Sequence, residues 1–137
     1  MRLISAALAA SVLLAAPLSA QAAKPDPNYA PALAAVDGFL FSWSKADATG
    51  GMAYASPDLA HTIGDAKIKA YLSGPGHAAF EVGKGQKGAG GTITFPIRLV
   101  WAQGGATSRI DTATIRAQQT GSKWYVVSLP YGAKTGQ

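Results

Sequence analysis

Apolar residues recur with two different spacings along the chain, and the change between them predicts two structural regions. In the first region they lie three or four positions apart, the period of an amphipathic helix, at Leu33, Val36, Phe39, Leu40 and Trp43. In residues 92–101 they instead alternate with other residues, the period of a strand with one buried face. We therefore predict helices up to about residue 73 and an antiparallel sheet after it, which is an α+β fold.

The ends of the predicted helices carry recognisable signals. The Gly50-Gly51 pair predicts the end of the first helix. Ser56, Pro57 and Asp58 predict the start of another, with Ser56 as the N-cap, proline at the first helical position and an acid in the first turn. Residues 74–76, Gly-Pro-Gly, are predicted to end the helical region.

The long strand is predicted to turn five side chains toward the helices: Ile93, Phe95, Ile97, Leu99 and Trp101. Pro96 has no N–H to donate, so it predicts a sheet edge or a β-bulge. The Gly104-Gly105 pair suits a two-residue hairpin turn. That turn predicts three facing pairs: Leu99 with Ile110, Ile97 with Thr112, and Arg98 with Asp111. Arg98 and Asp111 are then explained as an opposite-charge pair on the polar face of the sheet.

The sequence leaves two alternatives for which side chains of the last strand face the core. A two-residue loop before it would turn Tyr125, Val127 and Leu129 toward the core. A three-residue loop would turn Trp124 and Val126 toward it instead. The sequence does not decide between the two loops.

The face of the sheet away from the helices is predicted to remain partly apolar. Its predicted members are Val100, Ile115, one of Trp124 and Tyr125, and the surrounding charged residues Arg98, Arg109 and Asp111. Proteins usually cover an apolar patch of this kind, and homo-oligomers usually close with two-fold symmetry. We therefore expect a homodimer, or a protein partner, through this outer face.

The glycine-rich segment at residues 83–91, GKGQKGAGG, contains the spacing G-x-G-x-x-G. In dinucleotide-binding proteins this spacing opens a helix, and the N-terminus of that helix receives the phosphates. Here an alternating strand pattern follows the glycines. We interpret the segment as a loop between two strands.

The first 22 residues predict a signal peptide. Arg2 precedes an apolar run, and Ala20 and Ala22 give the A-x-A spacing of a cleavage site. The run is broken by Pro17 and Ser19 and is shorter than a membrane-spanning helix requires, so no membrane span is expected after cleavage. The chain has no cysteine, which excludes disulfides and a lipid anchor on cysteine. We expect a bacterial protein of the periplasm or the medium.

The rest of the chain has the length of one domain. We predict a flexible lead-in at residues 23–31, a domain at 32–132 and a mobile tail at 133–137. Without Arg2 the chain carries 11 Lys and Arg against 7 Asp and Glu, a net charge of +4. These charges are spread along the sequence, so a nucleic-acid partner is not expected.

The order of the predicted elements resembles the nuclear transport factor 2-like (cystatin-like) superfamily. The matching features are Phe39, Trp43 and Asp47 on the first helix, and the Gly121-x-Lys123-Trp124 start of the last strand. The resemblance implies a cone-shaped fold in which a curved antiparallel sheet curls around the helices. It also implies a choice of functions, since the superfamily contains isomerase-like, dehydratase and cyclase enzymes as well as non-catalytic exported domains.

Two sets of candidate functional residues follow. Enzymes of the superfamily transfer protons inside the cone, and the candidates for such chemistry are Asp58, His61 and Asp111. Asp58 and His61 lie three positions apart, which places them on one face of a helix. The candidates for binding a small apolar ligand in the cone are Trp43, Tyr54, Phe95 and Trp101. The sequence has no ligand spacing typical of a metal site, and no cofactor is expected.

These patterns favour an exported, non-catalytic binding or accessory domain of the bacterial envelope. The alternative is a small isomerase-, dehydratase- or cyclase-like enzyme that uses acid–base chemistry in the cone.

Overall fold

The computed structural model describes residues 26–73, 78–103 and 107–130. Four helices come first, α1 (Tyr29–Ser44), α2 (Ala48–Met52), α3 (Pro57–Ile63) and α4 (Asp65–Ser73). Five strands follow, β1 (Ala78–Val82), β2 (Gln86–Lys87), β3 (Ile93–Gln103), β4 (Thr107–Thr120) and β5 (Lys123–Val126). They form one antiparallel sheet in the order β1-β3-β4-β5, with β2 also paired to β3. The predicted α+β fold is confirmed, whereas the predicted signal peptide and tail lie outside the described residues.

Helix α1 provides one side of the core. Its apolar stripe is buried as predicted, with Val36, Phe39, Leu40 and Trp43 nearly or completely inaccessible to water. The helix begins at Tyr29, inside the stretch predicted to be a lead-in. The Tyr29 hydroxyl accepts a hydrogen bond from the N–H of Gly85 (2.9 Å), which ties the start of the helix to the sheet.

The Gly50-Gly51 pair does not end the first helix, contrary to the prediction. Helix α1 ends at Ser44, and the Asp47 carboxylate then accepts a hydrogen bond from the N–H of Gly50 (2.9 Å). This cap starts the short helix α2, which contains both glycines. A Cβ on Gly51 would lie 2.6 Å from Leu72 Cδ1, so the absent side chain lets α2 pack against α4.

The predicted start of α3 is confirmed. The Ser56 hydroxyl accepts a hydrogen bond from the N–H of Leu59 (2.9 Å), and Pro57 is the first helical residue. Asp58 lies in the first turn, where a negative charge interacts favourably with the helix dipole. Helix α4 ends at Ser73, so the predicted stop at residues 74–76 lies outside the described residues.

Strand β3 has the predicted alternation. Ile93, Phe95, Ile97 and Leu99 are buried on the inner face of the sheet, which we define as the face toward the helices. Trp101 continues this series as a half-buried residue at the end of the strand.

The predicted register between β3 and β4 is wrong by one residue. Leu99 faces Asp111 rather than Ile110, and Arg98 faces Thr112 rather than Asp111. Because side chains alternate along a strand, this difference exchanges the two faces of β4. Ile115, predicted on the outer face, is fully buried on the inner face.

The physical reason for this register lies in β4 itself. The predicted pairing would have turned Arg116 and Gln118 toward the core, and burying an unpaired charge or amide costs free energy. The observed pairing turns Ala113, Ile115 and Ala117 inward instead. Gln103 pairs with Thr107, and the predicted turn between them lies outside the described residues.

The last strand combines features of both open alternatives. Thr120 pairs with Lys123, so the loop has the two residues Gly121 and Ser122, and Gly121 has the positive φ (65°) that such turns require. Val126 faces Ala117, however, so the buried Val126 and the half-buried Trp124 lie on the inner face. The exchange of faces in β4 accounts for this combination.

The glycine-rich segment forms a β-bulge beside Pro96. Val82 pairs with Ile97 and Gln86 with Thr94, so three residues on one side lie opposite two on β3. The carbonyl of Pro96 accepts a hydrogen bond from the N–H of Gly83 (2.7 Å). The backbone nitrogen of Pro96 points to the same side as its carbonyl, toward the bulge. Because the regular ladder is interrupted there, the N–H that proline lacks is not needed for pairing. The bulge predicted from Pro96 is confirmed.

Gly85 allows the bulge to lie close to the core. A Cβ on this residue would lie 2.5 Å from Phe95 Cε2 and 3.0 Å from Ile93 Cγ2. The segment then passes through β2 and a 3-10 turn (Ala89–Gly91) directly into β3. Its glycines are therefore explained by packing and turns, in agreement with the interpretation as a connection between strands.

Replacing Gly85 by alanine should destabilise the protein by about 1–3 kcal/mol, because the new methyl group would press on Phe95 and Ile93 in the core. Urea denaturation measures the loss. Gln86→Ala, an exposed change in the adjacent strand, should change the free energy of unfolding by less than about 0.5 kcal/mol. Equal stability of Gly85→Ala and the wild type would contradict the packing role of Gly85.

Candidate functional site

A cluster of aromatic and charged side chains lies between α1, α4 and the ends of β3 and β4. We call it the inner cluster, and it consists of Trp43, Tyr71, Trp101, Arg109 and Asp111. The Trp43 ring lies 6.3 Å from the Tyr71 ring and 6.0 Å from the Trp101 ring, measured between centroids. Each of these contacts joins two different elements, so the cluster depends on the tertiary fold.

The charged members of the inner cluster form a compact pair over Trp101. The Arg109 guanidinium lies 3.7 Å above the centre of the Trp101 ring. It also donates hydrogen bonds from Nη2 (2.8 Å) and Nε (3.2 Å) to Asp111 Oδ2. The Arg109 side chain is 46% exposed and the Asp111 side chain 23%. Arg109 therefore covers the Trp101 ring from the solvent side.

Two hydrogen-bond donors in the cluster have no acceptor among the described residues. The Tyr71 hydroxyl and the Trp101 indole nitrogen are buried, and neither has a hydrogen-bond partner in the described part of the chain. Burial raises the pKa of the Tyr71 hydroxyl above its usual range, and the negative charge of Asp111 adds to the rise. The hydroxyl thus keeps its proton and can donate a hydrogen bond. Buried donors without acceptors are rare in folded proteins.

Asp58 and His61 lie away from the inner cluster. Both are exposed on α3, and the side chain of neither has a hydrogen-bond partner within the described residues. Arg98, predicted to pair with Asp111, instead lies 3.3 Å from Glu81 on β1. Of the three candidates for acid–base chemistry, the structure brings only Asp111 into the cluster.

The four candidates for ligand binding separate in the same way. Trp43 and Trp101 meet in the inner cluster, whereas Phe95 is fully buried against Tyr29, with 5.6 Å between ring centroids. Tyr54 is 37% exposed, and its ring covers Gly38, where a Cβ would lie 2.4 Å from Tyr54 Cζ. Phe95 and Tyr54 therefore pack against other parts of the molecule.

The solved structures that are similar to this chain include the following two. One is an NTF-2 like protein of unknown function from Shewanella oneidensis MR-1, with a TM-score of 0.57 and 11% identity over 73% of this chain and 94% of that one. The chain has a nuclear transport factor 2-like fold. The other is a SEC-C motif containing protein from Rhodopseudomonas palustris, with a TM-score of 0.55 and 11% identity over 74% of this chain and 77% of that one. Neither a protein-family profile nor a curated protein sequence matches the chain.

The nuclear transport factor 2-like fold explains why sequence reasoning found the cluster only in part. Trp43, Trp101 and Asp111 were singled out from their residue types, whereas Tyr71 was not assigned to a site. Arg109 and Asp111 were also predicted beside the outer-face patch, and the observed register places both on the inner face instead. Trp101 faces Arg109 across the β3–β4 pair, so the correct register would have placed the arginine on the indole. The sequence signal for that register was the run of small and apolar residues at alternate positions of β4.

In the described part of this nuclear transport factor 2-like fold, no group of three or more His, Cys, Asp and Glu residues could hold a metal ion. Asp111 is the single carboxylate of the inner cluster, and Arg109 already binds it. Across residues 26–73, 78–103 and 107–130, no helix is long and apolar enough to cross a membrane.

The raised pKa of Tyr71 predicts a dependence of stability on alkaline pH. The folded state holds the hydroxyl proton more tightly than the unfolded state, so its contribution is complete below the unfolded pKa of about 10 and is lost as the pH rises beyond it, by up to about 1.4 kcal/mol per pH unit. Tyr71→Phe should remove this loss. Urea denaturation of both proteins from pH 8 to about 11 measures the difference.

Tyr54→Phe is the matched control, since Tyr54 is partly exposed. It should retain the alkaline loss of the wild type. At neutral pH, Tyr71→Phe should be as stable as the wild type or more stable by about 1 kcal/mol, because it removes a buried hydroxyl without a partner. Parallel pH curves for the wild type and Tyr71→Phe would contradict this account of the hydroxyl.

Proposed function

We propose that this protein is an exported, non-catalytic ligand-binding or accessory domain of the bacterial envelope, and that its ligand binds at the inner cluster. The observation that carries the proposal is a pair of buried donors, the Tyr71 hydroxyl and the Trp101 indole N–H, for which the described part of the chain supplies no acceptor. A ligand with an acceptor atom would supply the missing hydrogen bonds. Export is supported by the signal peptide predicted at residues 1–22.

The composition of the cluster favours an uncharged, flat ligand. Arg109 and Asp111 neutralise each other, so a charged ligand would have no free counter-charge in the cluster. The rings of Trp43, Tyr71 and Trp101 offer apolar surfaces suited to a planar body. The donors are buried, so a ligand must displace the Arg109 side chain from Trp101 to reach them. We infer a small aromatic or unsaturated compound with a carbonyl or similar acceptor.

The state of Asp111 favours binding over catalysis. Arg109 holds Asp111 through two hydrogen bonds to Oδ2 and offsets its negative charge, which leaves only Oδ1 to take a proton as a general base would. The alternative function, an acid–base enzyme of the isomerase, dehydratase or cyclase kind, is favoured by one observation. Asp111 lies close enough to Tyr71 to raise the pKa of its hydroxyl, so a carboxylate and a proton donor share the site.

Acetophenone, a flat uncharged ketone, should bind to the protein more tightly than ethylbenzene, which has the same shape and no acceptor. One satisfied buried donor predicts a difference of about tenfold in Kd. Tyr71→Phe and Trp101→Phe should each reduce this ratio, whereas Tyr54→Phe should leave it unchanged. Saturation-transfer NMR titrations of both compounds measure the ratio, and equal affinities in the wild type would contradict the proposed site.

The same ketone separates the two functions. An acid–base enzyme would exchange the methyl protons of acetophenone for deuterium in D₂O, and Asp111→Asn would abolish that exchange. We expect exchange at the buffer rate for both proteins. Protein-catalysed exchange that depends on Asp111 would show that the protein is an acid–base enzyme and would contradict the proposal of a non-catalytic binding domain.

We also propose that the outer face of the sheet is an association surface, most simply between two copies of the chain. Its apolar centre is Ile110, which is 52% exposed, and the neighbouring Val100, which pairs with it across β3 and β4. The ion pair of Arg98 and Glu81 lies on the same face. An exposed apolar pair beside fixed charges is suited to a self-complementary contact.

Sedimentation at micromolar protein concentration should show a dimer, and Val100→Glu should convert it to a monomer because the new charge would be buried in the interface. Thr114→Glu adds the same charge on the same face, farther along β4, and should leave the dimer intact. A monomeric wild type would exclude the homodimer. A dimer that survives Val100→Glu would show that its interface lies elsewhere.

A further inference from the structure

Strand β1 lies at one edge of the sheet and borders a groove. In the described part of the chain it pairs only with β3. Between its free edge and helix α1 lies a groove with a volume of about 590 Å³, lined by Ala30, Leu33, Ala34, Asp37, Phe80 and Val82. None of its lining residues belongs to the inner cluster.

The hydrogen bond between Gly83 and Pro96 determines which backbone groups of β1 are free. It marks these two residues as a hydrogen-bonded pair of the antiparallel ladder, so the next such pairs are Glu81 with Arg98 and Ala79 with Val100. The N–H and C=O groups of Phe80 and Val82 then point away from β3, toward the free edge. Within the described residues, no backbone hydrogen bond outside the helices and ladders uses them.

The free backbone groups and the groove belong to the same two residues. Phe80 and Val82 face Leu99 and Ile97, so their side chains lie on the inner face of the sheet and form one wall of the groove. A strand added beside β1 would bond to their backbone groups. Every second side chain of that strand would enter the groove between β1 and α1, whose small residues Ala30 and Ala34 leave room for it.

We propose that the edge of β1 and this groove bind an extended peptide segment by strand addition. Recognition of this kind takes its affinity from main-chain hydrogen bonds and its specificity from pockets for alternate side chains. The segment carries apolar residues at alternate positions, to fill the groove, and a lysine or arginine placed to meet Asp37.

Asp37 decides between a peptide and a second copy of the chain. It is exposed in the groove, and no ion pair within the described residues involves it. The single charged residue of β1 is Glu81, so β1 of a second copy would itself offer Asp37 no cation, and the nearest one, Lys84, lies two residues beyond the strand in the bulge. Charge complementarity therefore favours a basic peptide over pairing between two β1 strands.

The probe is a fluorescein-labelled synthetic peptide, Lys-Val-Thr-Val-Thr-Val, measured by fluorescence anisotropy with the purified protein expressed with its own N-terminus. Val82→Pro removes one edge-facing N–H and no hydrogen bond of the β1–β3 ladder, so the sheet should be retained. It should weaken binding about tenfold or more. Val82→Ala keeps the N–H and should weaken binding less, by about threefold.

The charge is tested separately. Asp37→Asn should weaken binding of the lysine peptide by about threefold and should not affect a peptide with glutamine in place of the lysine. Binding of both peptides with equal affinity to the wild type would remove the role of Asp37 and overturn the proposed partner chemistry.

A modified peptide provides a test that does not depend on any protein variant. Methylation of every second backbone nitrogen of the peptide, on the edge that faces β1, should abolish binding. Methylation of the intervening nitrogens, which point away from β1, should be tolerated. No binding of the probe at millimolar concentration, or equal binding of the two methylated peptides, would overturn the proposal. Self-association of the wild type that Val82→Pro abolishes would also overturn it, by assigning the edge to a second copy.

Discussion

The register between β3 and β4 is the constraint on which the rest of the structure depends. Eleven cross-strand pairs join these two strands, and together they decide which side of β4 faces the helices. With Phe95 opposite Ile115, the inner face receives Ile115 and Ala117, and the last strand then turns Val126 and Trp124 to the same side. A shift by one residue would reverse all of these positions at once, because side chains alternate with a period of two.

The same register creates the inner cluster. Trp101 and Arg109 face each other across the sheet, and Asp111 follows two positions along β4, on the same side as the arginine. The ion pair of Arg109 and Asp111 therefore lies next to the aromatic core residues, at the end of β3 and the start of β4. In this position a tyrosine hydroxyl and an indole N–H are buried with no partner in residues 26–73, 78–103 and 107–130, and a buried donor left unsatisfied costs free energy. Buried polar groups without partners of this kind are characteristic of functional sites rather than of cores selected for stability alone.

Much of the fold could be predicted from short stretches of sequence, because the information was local. The stripe of α1, the cap at Ser56 and the alternation of β3 each depend on residues a few positions apart. The glycine-rich segment and Pro96 likewise indicated a bulge through the geometry of their own backbone. The nuclear transport factor 2-like fold followed from the order of these elements.

The candidate site was harder to predict because it joins residues from distant parts of the chain. Tyr71 and Arg109 carry no motif, and their contact with Trp101 exists only in one pairing of β3 with β4. The glycine pair suggested the wrong register for β3 and β4, and the attractive match of Arg98 with Asp111 supported it. Such a surface ion pair contributes at most about 1 kcal/mol, which is less than the cost of burying Arg116 that the same pairing requires. Comparing these two energies would have identified the correct register from the sequence.

The bulge and the β3–β4 hairpin differ in how they would tolerate a change in chain length over evolutionary time. At residues 83–85 the backbone already accommodates one unpaired position, so the loss of a residue there would restore a regular ladder and leave the faces of β3 unchanged. A residue gained or lost within the first part of the 14-residue strand β4 would exchange the faces of the residues on one side of the change, which would turn Arg116 into the core or Arg109 away from Trp101. Insertions and deletions should therefore accumulate among descendants of this chain at the bulge, whereas strand β4 of the hairpin should keep its length.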